Sequence, residues 1–115
     1  MTRYLVLLAY DPRTWESATA EEQQEYVDAH AAFEAAVDAR GRRLGSAPLA
    51  GADTATTVRH EGGEVVVTDG PFAETAEMIA GYYDVELPDL DAAVAVARLL
   101  PATYTVEIRP TIELG

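Results

Sequence analysis

The sequence contains no cysteine and no lysine, and each absence removes a group of functions. Without cysteine, the chain cannot form disulfides, thiolate nucleophiles, iron–sulfur centres or cysteine zinc sites. Its cations are all arginines, eight against 20 acidic residues, and the formal net charge is -12. Such a surface repels nucleic acid and anionic membranes, because a phosphate backbone is bound by clustered cations. We therefore expect neither nucleic acid nor a membrane among its partners.

Long apolar runs are also missing from the sequence. None approaches the roughly 18 residues of a membrane-spanning helix, and the first residues lack the basic region of a secretory leader. We therefore expect a cytoplasmic protein. The 115 residues are 49% apolar and 24% charged, which is typical of a globular chain with one core. This predicts a single domain over residues 1–115, without a separate cofactor domain.

The familiar cofactor and nucleophile motifs are absent as well. There is no G-x-G-x-x-G, no P-loop lysine and no G-x-S-x-G elbow, so dinucleotide redox chemistry, phosphoryl transfer and triad hydrolysis lose support. His30 and His60 lie far apart in the sequence, without an H-x-H or H-E-x-x-H pattern, so no metal site is predicted. What remains is proton transfer without a cofactor, or plain ligand binding.

The hydrophobic pattern predicts an α+β fold. Thr19 and Glu22 form a capping box that begins a long helix, which ends at Gly41. A second helix begins after Asp89 and runs toward a proline at position 101. Strands are predicted over residues 3–10, 42–49, 56–60, 64–68, 79–87 and 104–109, with the third and fourth joined as a hairpin. This order fits a ferredoxin-like split βαβ with an inserted β-hairpin.

Two helices cover only one face of such a sheet. We place Tyr4, Val6, Leu8 and Tyr10 of the first strand beside Tyr82 on the open face. At about 25 cal/mol per Å2, burial of this apolar patch is worth several kcal/mol, and a second copy is its simplest cover. The sequence thus predicts a homodimer packed sheet to sheet around a barrel-like cavity.

His30 is the first candidate for acid–base chemistry. It lies on the apolar stripe of the long helix with Tyr26, Phe33 and Val37, at spacings of i, i+4, i+7 and i+11. Burial there lowers the imidazole pKa and keeps the ring neutral, unless a carboxylate raises the pKa again. The alternative is a core histidine whose ring nitrogens are satisfied by backbone or water.

Asp69 is the second candidate, because it ends a strand at an Asp-Gly-Pro turn. The turn would hold the carboxylate rigidly, where it could orient a histidine or act as a base. The alternative is turn chemistry alone, with the carboxylate bonded to the following backbone.

Four further residues are candidates for substrate binding. Tyr10 and Tyr82 could line a pocket, although packing in the core or an interface is the alternative. Phe72 follows Asp69 in the same motif. Arg109 could bind an anionic substrate, although an ion pair with one of the many acids is favoured.

Three segments carry a resemblance to a known family: Val-Thr-Asp-Gly-Pro-Phe-Ala-Glu-Thr at 67–75, Ala-Gly-Tyr-Tyr at 80–83 and Pro-Asp-Leu-Asp-Ala-Ala at 88–93. With these, the chain resembles the YCII-related family, and within it the DGPF subgroup. The resemblance implies a ferredoxin-like dimeric α/β barrel. It also implies an acid–base pair, a histidine on the first helix and an aspartate near the cavity, which here correspond to His30 and Asp69.

The resemblance leaves two functions open. One relative of the wider family looks like a dehydrochlorinating lyase, and barrels of similar shape include muconolactone isomerases. This implies a cofactor-free acid–base enzyme of lyase or isomerase type acting on a small organic molecule. Many DGPF members are linked by gene neighbourhood to extracytoplasmic-function sigma factors, so the alternative is a non-catalytic ligand-binding or regulatory module. A purely structural dimer without a cavity is a third hypothesis.

Overall fold

The computed structural model describes residues 1–73 and 75–114. In chain order its elements are β1 (Thr2–Tyr10), α1 (Pro12–Glu16), α2 (Ala20–Arg40), β2 (Arg42–Pro48), β3 (Thr56–Glu61), β4 (Glu64–Asp69), β5 (Met78–Leu87), α3 (Leu90–Ala97) and β6 (Thr105–Pro110). Four antiparallel strands form the main sheet in the order β2-β5-β1-β6. β5 lies between β1 and β2, so the crossover through α2 is a split βαβ unit. The predicted α+β class is confirmed, and the strand order is compatible with a ferredoxin-like fold.

The helix boundaries follow local sequence signals. The Thr19 hydroxyl accepts a hydrogen bond of 3.1 Å from the Glu22 backbone N–H, and the Glu22 carboxylate accepts one of 3.1 Å from the Thr19 N–H. This is the predicted capping box. Asp89 caps α3 by accepting from the Ala92 N–H at 2.9 Å, although α3 ends at Ala97, earlier than predicted. No helix among the described residues is long and apolar enough to cross a membrane.

A short helix follows β1, in a segment for which the sequence predicted no helix or strand. α1 begins after Asp11, whose side chain accepts from the Arg13 N–H, and Pro12 occupies its first turn. Aspartate as the cap and proline at the first position are favourable helix starts. The signal was therefore present in the sequence. The helix places Trp15 beside Tyr26 of α2, with ring centroids 5.4 Å apart.

The core lies between the sheet and the helices α2 and α3. Phe33 and Val37 of α2 are 0% exposed, which confirms the inward stripe of that helix. The other buried members are Tyr4, Val6, Leu8, Tyr83, Val85, Leu87, Ala92, Ala93, Val96 and Leu100. They come from β1, β5, α3 and the turn after it, so one core holds the helices and the central strands together.

The predicted faces of β1 were wrong. Val6 lies opposite Tyr83 in the β1–β5 register, and Tyr4, Val6 and Leu8 are all buried under the helices. Tyr10 lies near Tyr104, with ring centroids 5.4 Å apart, and not on the open face. Both faces of β1 are apolar, so alternation alone did not choose between them, and a shift of one residue exchanges the two faces.

The open face of the sheet therefore has a different composition from the one predicted. Leu7 lies opposite Tyr82 there, and Leu5 lies opposite Asp84. Around this half-buried apolar centre lie the ion pairs Arg3–Asp84, at 2.6 Å, and Arg42–Glu86, at 3.0 Å. The face keeps an apolar centre, but its edge is charged.

The hairpin β3–β4 forms a separate two-stranded sheet. Gly62 and Gly63 form its turn with φ angles of 57° and 83°, a conformation that glycine adopts without strain. Val58, Val65 and Val67 are largely exposed on one of its faces. The radius of gyration is 16.3 Å, compared with about 13 Å for a compact chain of this length. The hairpin thus contributes to an open, flat molecule, 49 × 47 × 18 Å in extent.

Candidate ligand-binding site at His30

His30 is held between two tyrosine hydroxyls. Its Nδ1 lies 2.8 Å from the hydroxyl of Tyr83, and its Nε2 lies 2.8 Å from the hydroxyl of Tyr104. The three residues come from α2, from β5 and from the position directly before β6. Phe33, one turn further along α2, packs on Tyr83 with a centroid distance of 4.6 Å. The imidazole is therefore fixed at both ring nitrogens and backed by the core.

The two tyrosines have opposite roles when His30 is neutral. A neutral imidazole has one N–H donor and one acceptor nitrogen. One hydroxyl therefore accepts from the ring and has its own O–H free to donate, while the other donates to the ring and has free lone pairs. Which tyrosine takes which role depends on the tautomer. In either tautomer, a donor and an acceptor hydroxyl lie on the two sides of one imidazole.

Burial keeps all three groups uncharged near neutral pH. It raises the pKa of Tyr83 to about 12 and that of Tyr104 to about 12. It also lowers the pKa of His30 below 6.5, against an opposing effect of the Glu34 carboxylate. Removal from water disfavours the charged form of each group. The hydroxyls therefore stay protonated, and the imidazole keeps one acceptor nitrogen, to which one of the two hydroxyls donates.

A cavity of about 320 Å3 opens at this group, and we call it the inner pocket. Leu8, His30, Glu34, Ser46, Tyr83 and Tyr104 are among its lining residues. Glu34 lies one helical turn after His30, and its carboxylate is 3.2 Å from Arg43, which also pairs with Asp38 at 3.0 Å. The inner pocket is mostly apolar, with a few converging polar groups, as is usual for small-molecule sites.

A second cavity of about 470 Å3 adjoins the inner pocket, and we call it the outer groove. It shares His30, Glu34 and Tyr104 with the inner pocket and adds Tyr10, Trp15 and Tyr26. These rings come from β1, α1, α2 and the position directly before β6. A ligand at His30 can therefore extend along an aromatic wall.

Comparison with known proteins places the chain in a family. The model of the YCII-related domain matches residues 2–114. The chain belongs to the YCII-related family. It is also similar to an uncharacterized protein of Rhizobium meliloti (strain 1021), with 38% identity over 110 residues, which cover 90% of this chain and 88% of that protein. The resemblance drawn from the sequence is thus confirmed at the level of the family.

Two of the predicted substrate-binding residues of this YCII-related domain lie at these cavities. Tyr82 contributes to the inner pocket, and Tyr10 contributes to the outer groove. Both cavities also contain His30. The structure therefore places Tyr10 and His30 together at the outer groove, while Tyr82 borders the inner pocket from β5 and lies opposite Leu7 of the open face.

The other three predicted residues lie elsewhere in the chain. The described lining of the inner pocket and of the outer groove does not include Asp69, Phe72 or Arg109. Asp69 is exposed at the end of β4, where it pairs with Thr56. Phe72 is 73% exposed in the loop after β4, and Arg109 lies on β6, 3.8 Å from Glu107. The pairing of Asp69 with His30 stays a prediction, and the contacts within one chain do not support it.

Several residues of the site were missed from the sequence. Glu34 could have been found, because it follows His30 by four positions and such residues share one helix face. Tyr104 directly precedes β6 and packs against the core with Val106 and Ile108 of that strand, so its orientation was predictable from their alternation. Its contact with His30 was not, because it depends on how α2 crosses the sheet.

The buried state of His30 predicts a pH dependence. We expect NMR titration of its ring protons to give a pKa below 6.5, because burial disfavours the imidazolium. The unfolded chain then binds more protons than the folded one. The stabilisation from the neutral ring is fully present above pH 6.5 and is lost as the pH falls through the folded pKa. The variant His30→Gln identifies the resonances, and a measured pKa at or above 6.5 would contradict the burial.

Proposed function

We propose that this protein is a cofactor-free acid–base enzyme of lyase or isomerase type that acts on a small organic molecule in the inner pocket. By the Asp-Gly-Pro-Phe string at 69–72, we further propose that it belongs to the DGPF subgroup. One observation carries the proposed activity. A half-buried, neutral histidine joins two protonated tyrosine hydroxyls at the wall of a cavity of molecular size.

The arrangement supports proton transfer by a relay. The tyrosine that donates to His30 can accept a proton from a substrate carbon while its own proton passes to the ring nitrogen. The electron pair of the broken C–H bond moves to an adjacent carbonyl oxygen, which accepts a hydrogen bond from the other tyrosine. The proton then returns at another carbon in an isomerase, or a leaving group departs in a lyase. The charges balance without a metal or an organic cofactor.

The charges around the pocket indicate which substrates it accepts. Among the described residues that line the inner pocket, the formal charge is carried by Glu34. The whole chain has a net charge of -12. Arg109, the predicted anchor for an anion, lies elsewhere. Anionic substrates would be repelled, so the proposed substrate is neutral or cationic.

A second candidate is a ligand-binding or regulatory module without turnover. Two observations favour it: both nitrogens of His30 are already engaged by tyrosines, and Asp69 adds no carboxylate to the described lining of the pocket. Association with an extracytoplasmic-function sigma factor belongs to this candidate. It predicts that ligands bind at His30 but leave unchanged.

A proton-exchange assay separates the two candidates. The protein is incubated in D2O with a panel of small neutral or cationic ketones and lactones, and loss of C–H signals is followed by NMR. The enzyme predicts exchange above the buffer rate, which falls in the variants Tyr83→Phe and Tyr104→Phe. Shifts of the His30 and tyrosine resonances without exchange support the binding module. Exchange that survives removal of both hydroxyls would overturn the proposed relay.

We also propose that the protein is a homodimer joined through the open face of the sheet. Leu5, Leu7 and Tyr82 form a half-buried apolar centre, and the ion pairs of Arg3 and Arg42 surround it. An apolar centre with a polar rim is the usual anatomy of a protein interface. The exposed valines of the hairpin β3–β4 supply further apolar surface that a partner could cover.

We expect light scattering at micromolar concentration to give twice the 12.4 kDa mass of one chain. Leu7→Glu should shift the mass to that of a monomer, because it places an unpaired charge in the centre of the interface. Val27→Glu is the matched control, since Val27 is exposed on α2, and it should leave the dimer intact. A monodisperse wild-type monomer would contradict the proposal.

A further inference from the structure

The outer groove has a wall of four aromatic rings. Trp15 meets Tyr26 edge to face at a centroid distance of 5.4 Å. Tyr26 lies 5.8 Å from Tyr104, and Tyr104 lies 5.4 Å from Tyr10. A cation is attracted by a ring when it lies within about 6 Å of the ring centroid. With neighbouring centroids this close, one position in the groove can be within reach of more than one ring.

Two of these rings are held by their hydroxyls. The Tyr104 hydroxyl is bonded to His30, and the Tyr26 hydroxyl lies 2.5 Å from the Thr103 hydroxyl. Tyr26 and Tyr104 are also half-buried. The rings are therefore positioned before a ligand arrives, which lowers the entropy that binding must overcome.

The charge of the outer groove is negative. Glu34 and His30 both line the groove in the described part of the chain. Burial keeps His30 neutral, so the formal charge at neutral pH comes from the Glu34 carboxylate. Arg43 contacts Glu34 but is shared with Asp38, so these three side chains together keep one negative charge. The net charge of -12 adds a long-range attraction for cations.

We propose that the outer groove binds an organic ammonium cation, with its methyl groups against the rings of Trp15, Tyr26 and Tyr104 and with Glu34 as counter-ion. Rings combined with a carboxylate recognise a methylated ammonium, because the charge is spread over apolar methyl groups that lose little hydration. The inference deepens the proposed function by naming the substrate class. It rests on that function in one respect, which is that the reacting part of the ligand lies beside His30.

Choline and its neutral carbon isostere, dimethylbutanol, test the inference, because they have nearly the same shape and differ in charge. Trp15 is the single tryptophan of the chain, so its fluorescence reports binding in the groove directly. We expect choline to change the fluorescence saturably, at a concentration at least about tenfold lower than dimethylbutanol requires. Equal affinity for the two probes, or no saturable change with choline, would overturn the inference.

Two variants locate the binding. Glu34→Gln should weaken choline binding about five- to tenfold, and Tyr26→Leu should weaken it by a similar factor. Glu64→Gln is the matched control for charge, because Glu64 lies at the hairpin turn, and it should change the affinity by less than about twofold. Circular dichroism confirms that each variant is folded. Equal weakening by Glu34→Gln and Glu64→Gln would indicate attraction by net charge alone and would refute the groove.

The binding test is separable from the proton-exchange assay. Choline has no carbonyl group, so its binding requires the rings and Glu34 but no relay through His30. Saturable choline binding without proton exchange would contradict the proposed enzymatic activity and would still support the cation site. Proton exchange on neutral compounds without choline binding would contradict the cation site and would still support the enzymatic activity.

Discussion

Replacing His30 by glutamine is expected to reduce proton exchange on a substrate by about 10²–10⁴-fold, the usual contribution of a positioned general acid or base. Glutamine can still bond to one or both tyrosine hydroxyls, but it does not accept a proton at neutral pH. The relay would therefore keep much of its geometry and lose its base. The rate constant for loss of the C–H signal in D2O measures the effect.

The same substitution at the other histidine is the control. His60 is exposed on β3 and lies outside both described cavities, so His60→Gln should leave the exchange rate within about twofold of the wild type. The rate of the wild type should also fall as the pH drops through the folded pKa of His30, below 6.5, since only the neutral ring accepts a proton. An exchange rate unchanged in His30→Gln would remove the histidine from the mechanism.

Most of the fold was predictable because its signals are local. Each signal is contained in a few neighbouring residues: the capping box at Thr19, the paired glycines at the hairpin turn and the strand pattern of β5. These signals agree on one order of elements, and that order matches the observed sheet. The faces of β1 required more than a local signal, since both are apolar and the choice depends on its register with β5.

The site was predictable only in part. Placing His30 on the inward stripe of α2 needed the helical period alone. Its two hydrogen-bond partners lie 53 and 74 positions further along the chain, and no spacing in the sequence joins them to the histidine. Asp69 was chosen because a turn holds it rigidly, but a rigid turn does not determine which side chains it faces. The histidine was therefore found from a pattern, and its partners required the tertiary structure.

The largest expected effect on stability is at Phe33, which joins the core to the site. Its side chain is 0% exposed, and its ring packs on Tyr83, whose hydroxyl bonds to His30. Phe33→Ala removes this buried ring and leaves a cavity, so we expect a loss of about 3–5 kcal/mol in the free energy of unfolding. For a domain stable by about 5–15 kcal/mol, this is a large fraction of the total.

Urea denaturation followed by circular dichroism, at one fixed protein concentration, measures the loss. Phe33→Leu should be milder, about 1 kcal/mol, because most of the volume remains. Val27→Ala, at a largely exposed position of the same helix, should change the stability by less than about 0.5 kcal/mol. A loss below about 1 kcal/mol in Phe33→Ala would contradict the packing of α2 on the sheet. It would also weaken the site, because the position of the Tyr83 hydroxyl depends on that packing.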